Sequence, residues 1–151
     1  MTRWLNKEQQ KHWRAYLAMS TMLEEQLSRE LQAKFGITIT DYEIMVRLSE
    51  SENREIRMSE LADQVMLSRS RLSHQIDRMV KAGFVTRQAC ADDRRGQLAT
   101  LTDVGFQALV DAAPAHVAGV REHFVDLLTD AEYNALGLAA AKVAEHLDTL
   151  K

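Results

Sequence analysis

One proline and six glycines are spread over 151 residues. Gly costs about 1 and Pro about 3 kcal/mol inside a helix, so a chain this poor in both is expected to be mostly helical. A single cysteine excludes an internal disulfide framework and fits a reducing compartment. No run of about 18 apolar residues exists, so no membrane span is expected. The opening MTRWLNKEQQKHW is too polar for a secretory leader. These absences predict a cytoplasmic protein with no membrane partner. Catalytic signatures are missing too. There is no G-x-S-x-G, H-E-x-x-H, P-loop or G-x-G-x-x-G pattern, and no nucleophile–base pair stands out. No enzymatic activity and no cofactor are expected.

Hydrophobic residues make up 46% of the chain, enough for a real core. The net charge of −3 argues against nucleic acid when taken whole, but the charge is uneven. Residues 68–97 carry seven Arg and Lys against three Asp, a surplus of four, which leaves the rest of the chain strongly acidic. A basic stretch on an acidic body is the pattern of a focused anion-binding face, and phosphate is the obvious anion.

Periodicity lays out the elements. Asn6 and Gln9 mark a helix start. Tyr16, Met19, Leu23, Leu27 and Leu31 then form one stripe to about Lys34, with Gly36 as the stop. Thr40 and Glu43 read as the capping box of a second helix, with Ile44, Val46 and Leu48 toward its core. Ile56 and Met58 suggest a very short strand. Ser59 starts a short helix, and Ser68 starts another that Gly83 stops. Phe84–Gln88 and Gln97–Leu101 are strand-like and flank the charged ADDRRG, so they read as a hairpin. Thr102 caps the next helix. Phe106, Val110, Ala113, Val117, Val120, Phe124 and Leu127 repeat at 4-3 spacing, with Pro114 expected to kink that seam. Thr129 and Glu132 make a capping box, and Leu136, Ala140, Val143, Leu147 and Leu150 repeat the spacing. Two such seams can pack on each other, but with a long first helix they are better satisfied by a second copy of the chain.

Residues 59–83 carry the function. A short helix, a tight connection at Met66–Leu67 and a second helix form a helix-turn-helix. In the second helix Leu72, Ile76, Met79 and Val80 take one face. Ser70, Arg71, His74, Asp77, Arg78 and Lys81 lie roughly opposite, and small hydroxyls and arginines suit base edges and phosphates. Asp77 is discordant there and is expected to hold a neighbouring arginine. The hairpin that follows makes the unit a winged helix. Arg94 and Arg95 at its tip suit a minor groove, Asp93 suits orienting an arginine fork, and Gly96 permits the tight turn.

The order of elements, with LADQVMLSRSRLSHQIDRMVKAGFV and the wing stretch DRRGQLATLT, resembles the multiple-antibiotic-resistance regulator (MarR) family of bacterial transcription factors. Asp93, Arg95, Leu101 and Thr102 match that family's wing signature; Ala99 stands where Val is usual. The resemblance implies a mainly α fold with a small β-hairpin wing. It also implies residues 37–101 as the DNA-binding lobe of a single protomer, with 1–36 and 102–151 as dimerisation helices. The implied function is a homodimeric, ligand-responsive repressor on a pseudo-palindromic operator in double-stranded DNA. Carried over by matching positions, Arg95 is then the wing arginine and Asp93 its partner, and the implied recognition-helix contacts to DNA are Ser68, Arg69, Ser70, Arg71, Ser73, His74 and Arg78. A small aromatic or phenolic effector is implied between the helices and the lobe, for which His12, Trp13, Tyr16 and Met45 are the candidates, although each also suits plain core. His116 and His123 share a helix face, but surface histidines are expected there rather than a metal site. Cys90, just before the wing, is expected to be exposed and incidental. Peroxide-sensing members of the family carry their cysteine near the first helix instead. A helical scaffold that offers its basic patch to an acidic protein is the alternative; it would show no sequence-selective DNA binding.

Overall fold

The computed structural model describes residues 1–93 and 95–151. Helix α1 spans Lys7–Phe35, α2 Ile39–Glu50, α3 Met58–Gln64, α4 Arg69–Lys81, α5 Asp103–His123 and α6 Asp130–Asp148. Strands β1 (Glu55–Arg57), β2 (Val85–Ala89) and β3 (Gln97–Leu101) form one antiparallel sheet in the order β1-β3-β2. The chain divides into two compact units, one of residues 24–116 and one of residues 1–23 with 117–151.

The first unit holds the core. Leu31, Ile44, Met45, Leu48, Leu61, Leu72 and Ile76 are at most 2% exposed, each contributing roughly 1.5–3 kcal/mol by leaving water. β3 alternates, with Ala99 and Leu101 buried and Gln97 exposed. Ala99 lies opposite Ile56 on one side and Arg87 on the other and is fully buried despite its size.

Helix ends follow local chemistry. The Asn6 side chain accepts the Gln9 N–H at 2.8 Å, and Gln9 returns the bond to the Asn6 N–H at 3.0 Å. α2 is capped two residues earlier than the T-x-x-E pattern suggests. Thr38, not Thr40, is the N-cap, and Asp41, not Glu43, completes the box. Asp at the third position reaches back as Glu would; α2 buries Tyr42, Ile44, Met45 and Leu48, and Val46 packs half-buried against them. α3 begins at Met58 with no side-chain cap, so Ser59 lies inside the helix. α4 starts as expected, with the Ser68 hydroxyl accepting the Arg71 N–H at 3.2 Å. After it Gly83 takes φ +82°, a conformation that favours glycine. Val80 is 40% exposed and Gln75 takes a buried position instead. Thr102 caps α5, accepting the Gly105 N–H at 3.0 Å, and Thr129 with Glu132 forms the expected box on α6.

The second unit has little buried surface of its own. α6 has no buried residue, and Leu138, Val143, Leu147 and Leu150 are each more than half exposed. In α1 the apolar stripe is buried only at Leu27 and Leu31, while Tyr16 is 51% exposed. The 4-3 seam after Thr102 does not run unbroken to Leu127. α5 stops at His123, and Val125–Leu127 forms a 3-10 turn. α5 buries Leu109 and Ala112 rather than Val110, which is 46% exposed. No described helix is long and apolar enough to cross a membrane.

Candidate nucleic-acid interface

The helix-turn-helix is made by α3 and α4. Between them Met66 sits at φ +56° and points to solvent, 82% exposed. The Leu67 N–H bonds to the Ala62 carbonyl at 3.0 Å, so the chain reverses within a few residues. Leu72, Ile76 and Met79 anchor α4 in the core. That anchoring turns Arg69, Ser70, Arg71, His74 and Arg78 to solvent. The Ser68 hydroxyl accepts the cap bond and keeps its own O–H as a donor.

Ser73 is half-buried at the edge of this face. Its hydroxyl accepts from Arg87 Nη1 at 3.0 Å. The same guanidinium pairs with Asp77 at 2.9 Å and donates from Nε to Gln97. Arg87 of β2 thus ties the recognition helix to both strands of the wing. Asp77 holds an arginine, as its discordant charge required, and the arginine comes from the sheet.

The wing acids act differently from expectation. The Asp93 carboxylate accepts the backbone N–H of Arg95 at 3.0 Å rather than its guanidinium. Arg57 of β1 is the braced arginine. Its Nη2 lies 3.0 and 3.1 Å from the two Asp92 oxygens, and its Nη1 3.6 Å from Asp93. Gly96 does not take a left-handed φ. The space beside it is tight: a Cβ there would lie 3.0 Å from Cys90 Sγ and 3.1 Å from Arg57 Nη1, so those side chains would have to give by a few tenths of an ångström. Cys90 is buried at 7% exposure, not an exposed surface thiol. Its N–H bonds to the Gly96 carbonyl at 2.9 Å and closes the wing. Arg94 lies outside the described residues.

Together these side chains surround a cleft of about 540 Å³ between α4 and the wing. Arg57, Arg69, Arg87 and Arg95 line it with Ser73, against one acid, Asp93. Arg57 and Arg87 are paired with Asp92, Asp93 and Asp77, so among the described residues Arg69 and Arg95 supply most of the positive potential in this groove. Arg57 and Arg87 were not among the expected contacts. Neither belongs to the recognition helix or the wing tip, and only the pairing of Arg57 with Leu98 and of Arg87 with Ala99 brings them there.

A model of the MarR family matches residues 37–96, which span this interface. AbsC from Streptomyces coelicolor, a MarR family transcriptional regulator of known structure, is 49% identical over 98% of this chain and 99% of its own, with a TM-score of 0.93. The chain belongs to the MarR family. A second MarR regulator from that organism, Sco3205, solved in complex with DNA, is 44% identical with a TM-score of 0.95; the match covers 97% of this chain and 92% of that one. The transcriptional repressor MprA of Escherichia coli is 30% identical over 67% of this chain and 57% of its own length. The mainly helical fold with a winged helix-turn-helix is that of MarR transcriptional regulators.

The remaining candidates are dispersed. Trp13 and Tyr16 stack with ring centroids 5.9 Å apart, and both are about half exposed. His12 is exposed beside Glu8 at 3.7 Å. Trp13 borders an open cleft of about 380 Å³ with Trp4, Leu5 and Arg14. Met45 has no exposed surface and packs the core of the other unit. His116 is not a surface histidine. Its ring lies 4.3 Å from that of Tyr42, and its Nδ1 is enclosed without a hydrogen-bond partner. Burial pushes its pKa below the ordinary 6.5, against the opposing pull of Glu43 and Glu30. Among the described residues no cluster of three or more His, Cys, Asp or Glu is placed to hold a metal.

Proposed function

We propose that the protein is a homodimeric, sequence-specific DNA-binding repressor acting in the cytoplasm on a pseudo-palindromic operator. The observation that carries this reading is the four-arginine cleft between α4 and the wing. α4 enters a major groove with Arg69, Ser70, Arg71, His74 and Arg78 forward, and the wing carries Arg95 toward the flanking minor groove. Arg57 and Arg69 meet the phosphates between. The exposed apolar faces of α6 and of the first half of α1 support dimerisation, because an isolated apolar helix face in water has nothing to stabilise it. Residues 37–101 serve as the DNA-binding lobe, and 1–36 with 102–151 as dimerisation helices. No catalytic step is assigned to any residue.

Arg95→Ala tests the wing. It leaves the dimer folded and weakens operator binding severely in an anisotropy titration at fixed salt; unchanged affinity removes the wing from the interface. Release by a small aromatic or phenolic effector belongs to the same reading, with Trp13 and Tyr16 as its contacts. Phenolic compounds should then quench tryptophan emission and release DNA, and compounds that do neither remove the effector from the account.

A further inference from the structure

We propose that Gln75 is a positioning residue of the DNA-reading face. Its buried amide holds the Arg78 guanidinium and takes its own bearing from the N-cap of α2. The inference rests on the DNA-binding reading above and adds a residue that touches no DNA itself.

Gln75 is 7% exposed, a polar side chain among the buried Leu72, Ile76 and Met79 of α4. A buried amide is costly unless both of its ends are hydrogen-bonded. Here both are. Its Nε2 donates to Asp41 Oδ1, and its Oε1 accepts from Arg78 Nη2. A carboxylate only accepts and a guanidinium only donates, so the amide has one permitted orientation. Asp41 is itself fixed. Its other oxygen accepts the Thr38 N–H at 2.9 Å, and its own N–H donates to the Thr38 hydroxyl at 3.0 Å. The chain of bonds therefore runs from the cap of α2, through Asp41 and Gln75, to the exposed face of α4.

The arrangement selects glutamine. Leucine fills the volume but meets neither partner. Glutamate sets a carboxylate against Asp41. Lysine offers Arg78 no acceptor, and asparagine is one methylene short. An arginine tethered through one Nη keeps its other donors for DNA and loses less side-chain freedom on binding. Asp41 gains a counter-charge at one remove, through a polarised amide.

The test uses the full-length protein and a DNA site obtained by in vitro selection with the wild type. Gln75→Leu should keep the dimer and weaken binding roughly tenfold, the scale of one charge-assisted hydrogen bond. Adding Arg78→Ala to it should weaken binding no further than Arg78→Ala alone, because the two act as one unit. Gln75→Glu should bind worse than Gln75→Leu. Asp41→Asn in the same chain should restore it, since the amide then sits at 41 and the carboxylate at 75 accepts from both neighbours. In the DNA-free protein the Arg78 Nη–H resonances, whose Nη2 group donates to Gln75, should move to their random-coil position in Gln75→Leu. Should Gln75→Leu not fold, the Gln75→Glu and Asp41→Asn pair decides: rescue supports the relay, and no rescue overturns it. Wild-type affinity in Gln75→Leu, additive losses, or an unmoved Arg78 resonance overturn this proposal alone. A wild type that selects no DNA sequence overturns the DNA-binding reading, and this proposal with it.

Discussion

Arg87→Ala should cut the recognition helix loose from the wing, and its cost can be worked from three bonds. The guanidinium meets Asp77 at 2.9 Å, Ser73 at 3.0 Å and Gln97. The Arg87 side chain is 26% exposed and Asp77 56%, so solvent screens the ion pair to roughly 0.5–1 kcal/mol. The bonds to Ser73 and Gln97, from a charged donor, add about 1 kcal/mol each. Freeing the side chain returns about 1 kcal/mol of rotamer entropy. The net loss is about 2 kcal/mol. With a urea dependence near 2 kcal/mol/M, the unfolding midpoint should fall by about 1 M, measured at one protein concentration because folding and assembly are linked. Arg87→Lys keeps a point charge for Asp77 but not the three-way geometry, and should recover less than half of the loss. High salt should remove only the Asp77 share. A midpoint in Arg87→Ala equal to the wild type would refute the keystone role of this arginine.

Three further outcomes follow from the same geometry. Asp93→Asn keeps an acceptor for the Arg95 N–H but loses the charge facing Arg57. It should therefore bind DNA better than Asp93→Ala, and equal affinities would show that the turn bond is unimportant. Gly105→Ala places a Cβ 2.2 Å from the Phe84 carbonyl and 2.7 Å from Leu101 Cδ1; it should lose about 2 kcal/mol or more of stability in denaturant titration, and wild-type stability would contradict the close approach. His116 has a folded pKa depressed below 6.5 by burial, so the unfolded chain binds the proton more readily. Stability is then fully present above about 6.5 and is lost as pH falls below it toward the folded value. His116→Phe should flatten that acid-side slope, and an unchanged slope assigns it to other groups.

Much of the fold was legible because the patterns that carry it are local. Ser68, Thr102 and Thr129 cap helices where the sequence places them, and the strand runs on either side of ADDRRG pair as a hairpin. Thr38–Asp41 and Thr40–Glu43 are equivalent by spacing, so spacing alone does not separate the two possible caps of α2. The interface was less legible. Arg57 and Arg87 take their roles from partners 10 to 35 positions away, and Gln75 is anchored by Asp41 34 positions away, distances at which no periodicity informs. The pairing of Asp93 with Arg95 was right as a contact but wrong in its atoms, since a carboxylate two residues back reaches the backbone N–H more easily than a long side chain.

In vitro selection from a random double-stranded DNA pool tests the central claim most directly. The account predicts an enriched site with two-fold symmetry, its half-sites one helical turn or a simple multiple apart, bound more weakly by Arg95→Ala. No enrichment, or an enriched site without symmetry, would contradict a dimeric winged-helix regulator.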